Sequence, residues 1–225
     1  MIRNKLSDLL GQRQIKISRL SALTGIARST LTPIYFNHSE MIKIETINKI
    51  CKALNINVSE FFESVNFDIN FTIDEDSTDN IFTFIETTPD YIGKFNIDIG
   101  SICEISEQNT RYLLDVSFKA IDETMITDSV IWIDFHEGDG DWLEESSKIV
   151  YQMSFDTKED EEIFNEYLKK LSVGMKILFK NKTTQFLREQ LLKEFSNDLS
   201  NQNYNVPKQK FKDIFTKADI EIENM

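Results

Sequence analysis

The spacing of apolar residues along the chain changes near residue 65. Before that point, apolar residues recur every three or four positions, which is typical of helices with one buried face. Beyond it, apolar and polar residues alternate, which indicates half-buried strands. We therefore predict an all-α domain over residues 1–64 and a second domain over residues 65–225.

The N-terminal part predicts five short helices. Their apolar faces contain Ile2, Leu6, Leu9 and Leu10; Leu20 and Leu23; Leu31, Ile34 and Tyr35; Ile44, Ile47, Ile50, Cys51 and Leu54; and Val58, Phe61 and Phe62. Gly25 ends the second helix, because glycine tolerates the left-handed backbone of a helix terminus. Only a three-residue turn separates the second helix from the third, which is typical of a helix-turn-helix module.

Two features of the third predicted helix are unfavourable. Ala27 stands where a capping serine is common, so the helix begins without a side-chain acceptor, at a cost of about 1 kcal/mol. Pro33 lies inside the helix and lacks the amide that would bond the Ser29 carbonyl. We therefore expect a short or kinked third helix.

The second domain begins with strands and ends with helices. The predicted strands cover residues 67–73, 81–85, 95–99, 102–105, 112–118, 130–135 and 149–153, with residues 175–179 as one more edge strand. Helical spacing marks residues 158–171, 183–199 and 207–217. This order predicts an α+β domain with a mostly antiparallel sheet followed by helices.

The charge of the chain is divided unevenly between the two parts. The whole chain has 25 Lys and Arg against 38 Asp and Glu, and its net charge of −13 argues against a nucleic-acid binder. Residues 1–57 alone hold nine basic and three acidic side chains, a balance of +6 that leaves −19 for the remainder. This asymmetry indicates two functions on one chain, with nucleic-acid binding confined to the basic part.

Hydropathy and cysteine usage exclude further classes. No apolar run approaches the roughly 20 residues of a transmembrane helix, and polar residues interrupt the first turn, where a signal peptide is continuously apolar. We expect a cytoplasmic protein without membrane contact. Cys51 and Cys103 lie far apart without CxxC spacing, so we expect both to be reduced packing residues.

Residues 2–62 resemble the XRE helix-turn-helix family, the class of phage lambda repressor and Cro. The resemblance rests on residues 20–34, LSALTGIARSTLTPI, which look like the core motif, and on residues 44–56, IETINKICKALNI, which look like the fourth helix and the turn after it. It implies a five-helix lambda-repressor-like domain whose third helix lies in the major groove of double-stranded DNA.

Carried onto this chain, the resemblance assigns base contacts to Arg28, Ser29 and Thr32. An arginine donates two hydrogen bonds to guanine, and a threonine pairs with a base edge or packs its methyl group on thymine. Phosphate contacts are assigned to Lys16, Ser18, Arg19, Thr30, Asn37, His38 and Lys43. Thr30 is placed as a helix-surface residue whose hydroxyl meets a phosphate. His38 keeps an alternative, because it also suits an exposed loop position without a binding role.

Residues 134–142, DFHEGDGDW, are the most suggestive segment for catalysis or metal binding. They gather four carboxylates and an imidazole, but they do not match the EF-hand pattern, and the repeated Asp-Gly favours a hairpin turn. The sequence contains no phosphate-binding loop, nucleophile elbow or HExxH motif. We therefore expect no enzyme activity, no catalytic residue, no metal site and no cofactor.

Together these features predict a sequence-specific DNA-binding transcriptional regulator, a repressor that acts as a homodimer on operator half-sites. The acidic domain is expected to oligomerise the chain or to bind a small-molecule or protein effector. The alternative is an antitoxin-like or protein-interaction regulator whose acidic domain binds a partner protein. A third hypothesis is an enzyme domain controlled by its own helix-turn-helix, which requires a clustered pocket of titratable residues. The side chains that would have to share one cleft are those of Asp134, His136, Glu137 and Asp141.

Overall fold

The chain divides into two compact units. The computed structural model describes residues 1–87, 90–121, 130–135, 148–201, 208–223 and 225. The first unit comprises Met1–Asp68 and Leu171–Leu178, and the second comprises Ile69–Lys170 and Phe179–Met225. A short segment from far along the chain therefore completes the first unit.

The first unit is a run of helices whose two ends meet in a small sheet. Its helices are α1 (Leu6–Gln12), α2 (Ile17–Thr24), α3 (Arg28–Tyr35), α4 (Ile44–Leu54) and the single turn α5 (Val58–Phe61). Strand β1 (Ile2–Asn4) pairs antiparallel with β2 (Phe62–Ser64). The helices between residues 6 and 54 confirm the prediction of a helical N-terminal region.

One hydrophobic core fills the first unit. Its buried members are Leu6, Leu9, Leu10, Leu20, Leu31, Ile34, Ile50, Cys51, Leu54 and Phe61. Four residues that we placed on the same apolar faces are exposed, namely Ile2, Leu23, Ile44 and Val58, at 67%, 48%, 84% and 55%. The prediction was wrong for Ile2 because this residue lies in β1 and not in a helix. The other three lie at or next to a helix end, where the spacing continues beyond the packed part of the helix.

Helix α3 begins without a side-chain cap and is short, as its sequence indicates. No side chain caps its first turn at Ala27. The helix is eight residues long and continues through Pro33 to Tyr35, so proline does not end it. The carbonyl of Pro33 accepts a hydrogen bond from the His38 amide at 2.8 Å, which joins the end of the helix to the following turn.

The second unit is built on a sheet that is mostly antiparallel. Its strands are β3 (Phe67–Ile73), β4 (Asp79–Thr87), β5 (Asp90–Glu107), β6 (Thr110–Ile121), β7 (Val130–Phe135), β8 (Lys148–Phe155) and β9 (Asp219–Glu223). The main order is β3-β5-β6-β8-β9, and β4 and β7 both pair with the first half of β5. Strand β9 is parallel to β8, whereas β4, β6 and β7 run antiparallel to β5.

Three helices separate β8 from β9. They are α6 (Lys158–Lys169), α7 (Val173–Asn201) and α8 (Lys208–Lys217). The hydroxyl of Thr157 accepts the Asp160 amide at 3.1 Å and caps α6. Aromatic rings fill much of the core of the second unit, where the ring of Phe71 lies 5.3 Å from that of Phe118 and 5.9 Å from that of Phe179.

Three predictions for this region were wrong in detail. Residues 95–99 and 102–105 form one strand, β5, because Gly100 continues the extended backbone where a Cβ would overlap Ser77. Residues 175–179 are helical and belong to α7, where Met175, Leu178 and Phe179 are buried at helical spacing. Strand β9 was not predicted, because its five residues follow a helix directly and gain their partner from β8.

Both cysteines are free and buried, as expected. Burial raises the pKa of the Cys103 thiol to about 12, and burial also raises the pKa of Cys51. No helix among the described residues is long and apolar enough to span a bilayer.

Candidate nucleic-acid interface

The turn between α2 and α3 is fixed by local hydrogen bonds. Gly25 adopts the left-handed backbone, with φ of 69°, that ends α2. The hydroxyl of Ser21 donates to the Ile26 carbonyl at 2.6 Å. The hydroxyl of Thr24 donates to the Leu20 carbonyl at 2.8 Å and accepts the Ile26 amide at 3.2 Å. These bonds set the direction in which α3 leaves the turn.

Helix α3 presents a polar surface on the side opposite to the core. Leu31 and Ile34 are 0% and 2% exposed and anchor the helix. The exposed residues of the helix that we assigned to DNA are Arg28, Ser29, Thr30 and Thr32, which we call the α3 face. The first turn of the helix contains no acidic residue, so nothing there repels a phosphate. The structure therefore brings the three predicted base contacts together on one exposed helix.

The predicted phosphate contacts lie around the helix ends. Lys16 and Lys43 are exposed and occupy the N-cap positions of α2 and α4, where no side chain caps the helix. The first amides of a helix lack internal partners, and its positive end attracts anions such as phosphate. Ser18 is half-buried and Arg19 exposed in the first turn of α2. These four side chains can supply contacts that hold the backbone of DNA.

The turn after α3 contains the last two predicted phosphate contacts. His38 is exposed, and its ring stacks on that of Phe36 with the centroids 5.8 Å apart. Asn37 is half-buried and has a left-handed backbone, with φ of 56°. Its side-chain oxygen Oδ1 accepts the main-chain amide and the side-chain Nδ2 of Asn4, both at 2.8 Å. Asn37 therefore has a structural role that the sequence did not indicate, and its phosphate contact stays a prediction.

Not every basic residue of the N-terminal part faces outward. Arg3 is only 7% exposed and pairs with Glu63 at 2.6 Å and with Asp8 at 2.5 Å. The guanidinium of Arg13 donates to the Leu54 carbonyl at the end of α4. Lys16, Arg19, Arg28 and Lys43 form no ion pair with any residue that the structure describes. Positive charge available to a ligand thus lies on α2, on α3 and at the start of α4, and the exposed Lys52 adds to it in the last turn of α4.

Asn4 supports the interface and was not foreseen from the sequence. It is 4% exposed, and its Nδ2 donates to the Ile34 carbonyl in the last turn of α3 at 2.8 Å. Its Oδ1 accepts the amide of Leu6 at 3.1 Å. The bond to α3 spans 30 residues of sequence, so no local pattern indicates it.

A comparison of the chain with known protein families identifies this arrangement of helices. Residues 5–66 match the family of Cro/C1-type HTH DNA-binding domains. The N-terminal segment is an XRE-type helix-turn-helix domain. The chain is thus a DNA-binding transcriptional regulator. That α3 is the helix that enters the major groove stays a prediction. A comparison with curated proteins finds no match to the chain.

The helix-turn-helix domain is the only functional region that the comparison assigns. Among the described residues, no group of three or more His, Cys, Asp or Glu is arranged to hold a metal ion. Residues 136–142 of the acidic segment lie outside the described residues, and so does most of the predicted hairpin. The interpretation of that segment as a turn stays a prediction.

Proposed function

We propose that this chain is a sequence-specific repressor that binds operator half-sites as a homodimer. The observation that carries the proposal is the α3 face, which places Arg28, Ser29 and Thr32 together and exposed on a helix of an XRE-type domain. We further propose that the second unit oligomerises the chain or binds a small-molecule or protein effector, and that the chain has no enzyme activity.

The α3 face suits the reading of bases. The guanidinium of Arg28, at the first position of the helix, can donate two parallel hydrogen bonds to O6 and N7 of a guanine. Ser29 and Thr32 offer hydroxyl groups for neighbouring base edges, and Thr32 adds a methyl group for thymine. Three residues specify few base pairs, and this is why we propose a dimer on half-sites about 34 Å apart.

The phosphate contacts are proposed to orient this face. Lys16 and Lys43 stand at the positive ends of two different helices, and Arg19 lies one turn from Lys16. Cations at these positions neutralise phosphates and release counterions, so binding must weaken steeply as salt rises. The residues of this set fix the register on the duplex without reading its sequence.

The test starts from the DNA sequence that the full-length chain selects from a random duplex library. Arg28→Ala should lower the preference for that duplex over a scrambled one by about 10- to 100-fold, because a bidentate base contact is lost. The control is Arg111→Ala, which removes an equally charged, 62% exposed side chain from β6 in the second unit and should leave the preference unchanged.

Four outcomes would contradict the proposal. Equal loss in both arginine variants would remove Arg28 from the base contacts. Affinity that does not change between 50 and 200 mM salt would argue against phosphate binding. A monomer on the selected duplex in sedimentation, or transcription that rises when the operator is occupied, would reject the dimeric repressor.

A further inference from the structure

The two faces of strand β1 contact different parts of the first unit. Neighbouring residues of a strand point to opposite sides. Arg3 pairs with Glu63 in the register of β1 and β2, whereas Asn4 pairs with Phe62. The side chains of Arg3 and Asn4 therefore contact different neighbours, although the two residues are adjacent in the chain.

Arg3 is the buried cation on one face. Its Nε donates to Glu63 at 2.6 Å, and its Nη2 donates to Asp8 in α1 at 2.5 Å. Burial by itself lowers the pKa of Arg3, but the hydrogen bonds to Asp8 and Glu63 outweigh it, so the pKa lies above its ordinary value. A planar guanidinium can bond two carboxylates in different directions, whereas an ammonium is a single point charge.

The start of α7 packs on this same cation. The hydroxyl of Ser172 hydrogen-bonds the Glu63 carboxylate and accepts the Met175 amide at 3.2 Å. A Cβ at Gly174 would overlap the guanidinium of Arg3, so only glycine lets the helix backbone approach so closely. Leu171–Leu178 accordingly belongs to the first unit, and the same helix continues to Asn201.

Asn4 holds the end of α3 on the other face. It donates to the Ile34 carbonyl and to the Asn37 side chain, both at 2.8 Å, and its own carbonyl accepts the Asn37 Nδ2 at 3.1 Å. Helix α3 lacks one internal hydrogen bond because of Pro33 and has no side-chain cap. External bonds at its C-terminal end therefore help to fix its position, together with the buried side chains of Leu31 and Ile34.

We propose that β1 couples the start of α7 to helix α3, so that contact of Gly174 with Arg3 positions the DNA-binding face. Arg3 and Asn4 are positioning residues, because neither belongs to the α3 face itself. The contact itself lies within the first unit, because Leu171–Leu178, β1 and α3 all belong to that unit. The DNA part of this inference rests on the proposed function.

The first experiment needs no DNA. Gly174→Ala in the full-length chain adds one methyl group against Arg3, and Gly11→Ala is the matched control, since a Cβ there meets nothing within 4 Å. Hydrogen exchange should quicken about tenfold at residues 171–178 and at the amides of Phe36, Asn37 and His38, while α4 stays within about twofold of the parent. The Gly11→Ala chain should exchange at the rate of the parent or more slowly, because alanine favours a helix more than glycine does. A change confined to residues 171–178 would overturn the coupling.

A second variant keeps the inference testable if Gly174→Ala fails to fold. Arg3→Lys retains the charge but cannot bond both carboxylates in the same way, and it should give the same exchange pattern. Each variant should also bind the selected duplex about tenfold more weakly, with an unchanged order of preference among duplexes. If hydrogen exchange quickens both at residues 171–178 and at the end of α3, but the affinity for the duplex does not change, the effect on DNA binding is refuted. If the parent chain selects no duplex, only the proposed function fails.

Discussion

Removing the side chain of Asn4 should destabilise the first unit far more than its small size suggests. Asn4→Ala deletes three hydrogen bonds, to the Ile34 carbonyl, the Asn37 side chain and the Leu6 amide. Each contributes about 1 kcal/mol net, and a buried partner left unsatisfied costs about 1 to 3 kcal/mol more. Because Asn4 is 4% exposed, water does not readily replace these bonds. We expect a loss of about 3 to 5 kcal/mol, a large share of the 5 to 15 kcal/mol typical of a whole domain.

The assay must report the first unit alone. Urea-dependent hydrogen exchange of the buried amides in α1 and α4, resolved by mass spectrometry, provides this. Asn48→Ala is the matched control, because Asn48 is exposed on α4 and its replacement by a better helix former should change stability by no more than about 0.5 kcal/mol. A loss below about 1 kcal/mol for Asn4→Ala would refute the reasoning, since the loss of three hydrogen bonds around a buried side chain must cost more than that.

Three further predictions concern other residues. Thiol reagents at pH 8 should label Cys51 and Cys103 only as the chain unfolds, because both are buried with raised pKa values; labelling within seconds in the folded chain would contradict this. Burial raises the pKa of Glu63, but its bonds to Ser172 and Arg3 outweigh burial and hold the pKa below 4.5. Glu63 thus stabilises the first unit above about pH 4.5, this contribution is lost as pH falls through the folded pKa, and Glu63→Gln should flatten the acid-side decline in urea titrations. Pro33→Ala restores an amide inside α3 and should raise the free energy of unfolding in the urea assay by on the order of 1 kcal/mol. A lower free energy of unfolding would show that the fixed backbone of proline stabilises the unit more than the restored hydrogen bond does.

The helices of the first unit could be predicted because their signals are local. Leu20 and Leu31 anchor α2 and α3, and Gly25 adopts the backbone that its position between the helices requires. These features depend on residues three or four positions apart, and they also carry the resemblance to the XRE family. The α3 face follows from the same periodicity, since Arg28 and Thr32 must point away from the buried side.

The support of that face could not be predicted, because its contacts are distant in sequence. Arg3 and Glu63 are 60 residues apart, and Gly174 follows them by more than a hundred. Ile2 continues the apolar spacing of α1, so the first residues resemble a helix until β2 is present to pair with them. The same applies to residues 175–179, which are too few to distinguish a strand from one turn of a longer helix.

The parallel pairing of β9 with β8 has a consequence for how the chain is made. Strand β8 ends at Phe155 and β9 begins at Asp219, so the ribosome adds 63 residues between them. At about 5 to 20 residues per second, this interval lasts roughly 3 to 13 seconds. During it, the nascent chain has made β8 but not the strand that covers its backbone amides and carbonyls, and such edges pair readily with other chains. During this interval the newborn chain is therefore open to edge-to-edge pairing at β8, after its DNA-binding helices have been synthesised.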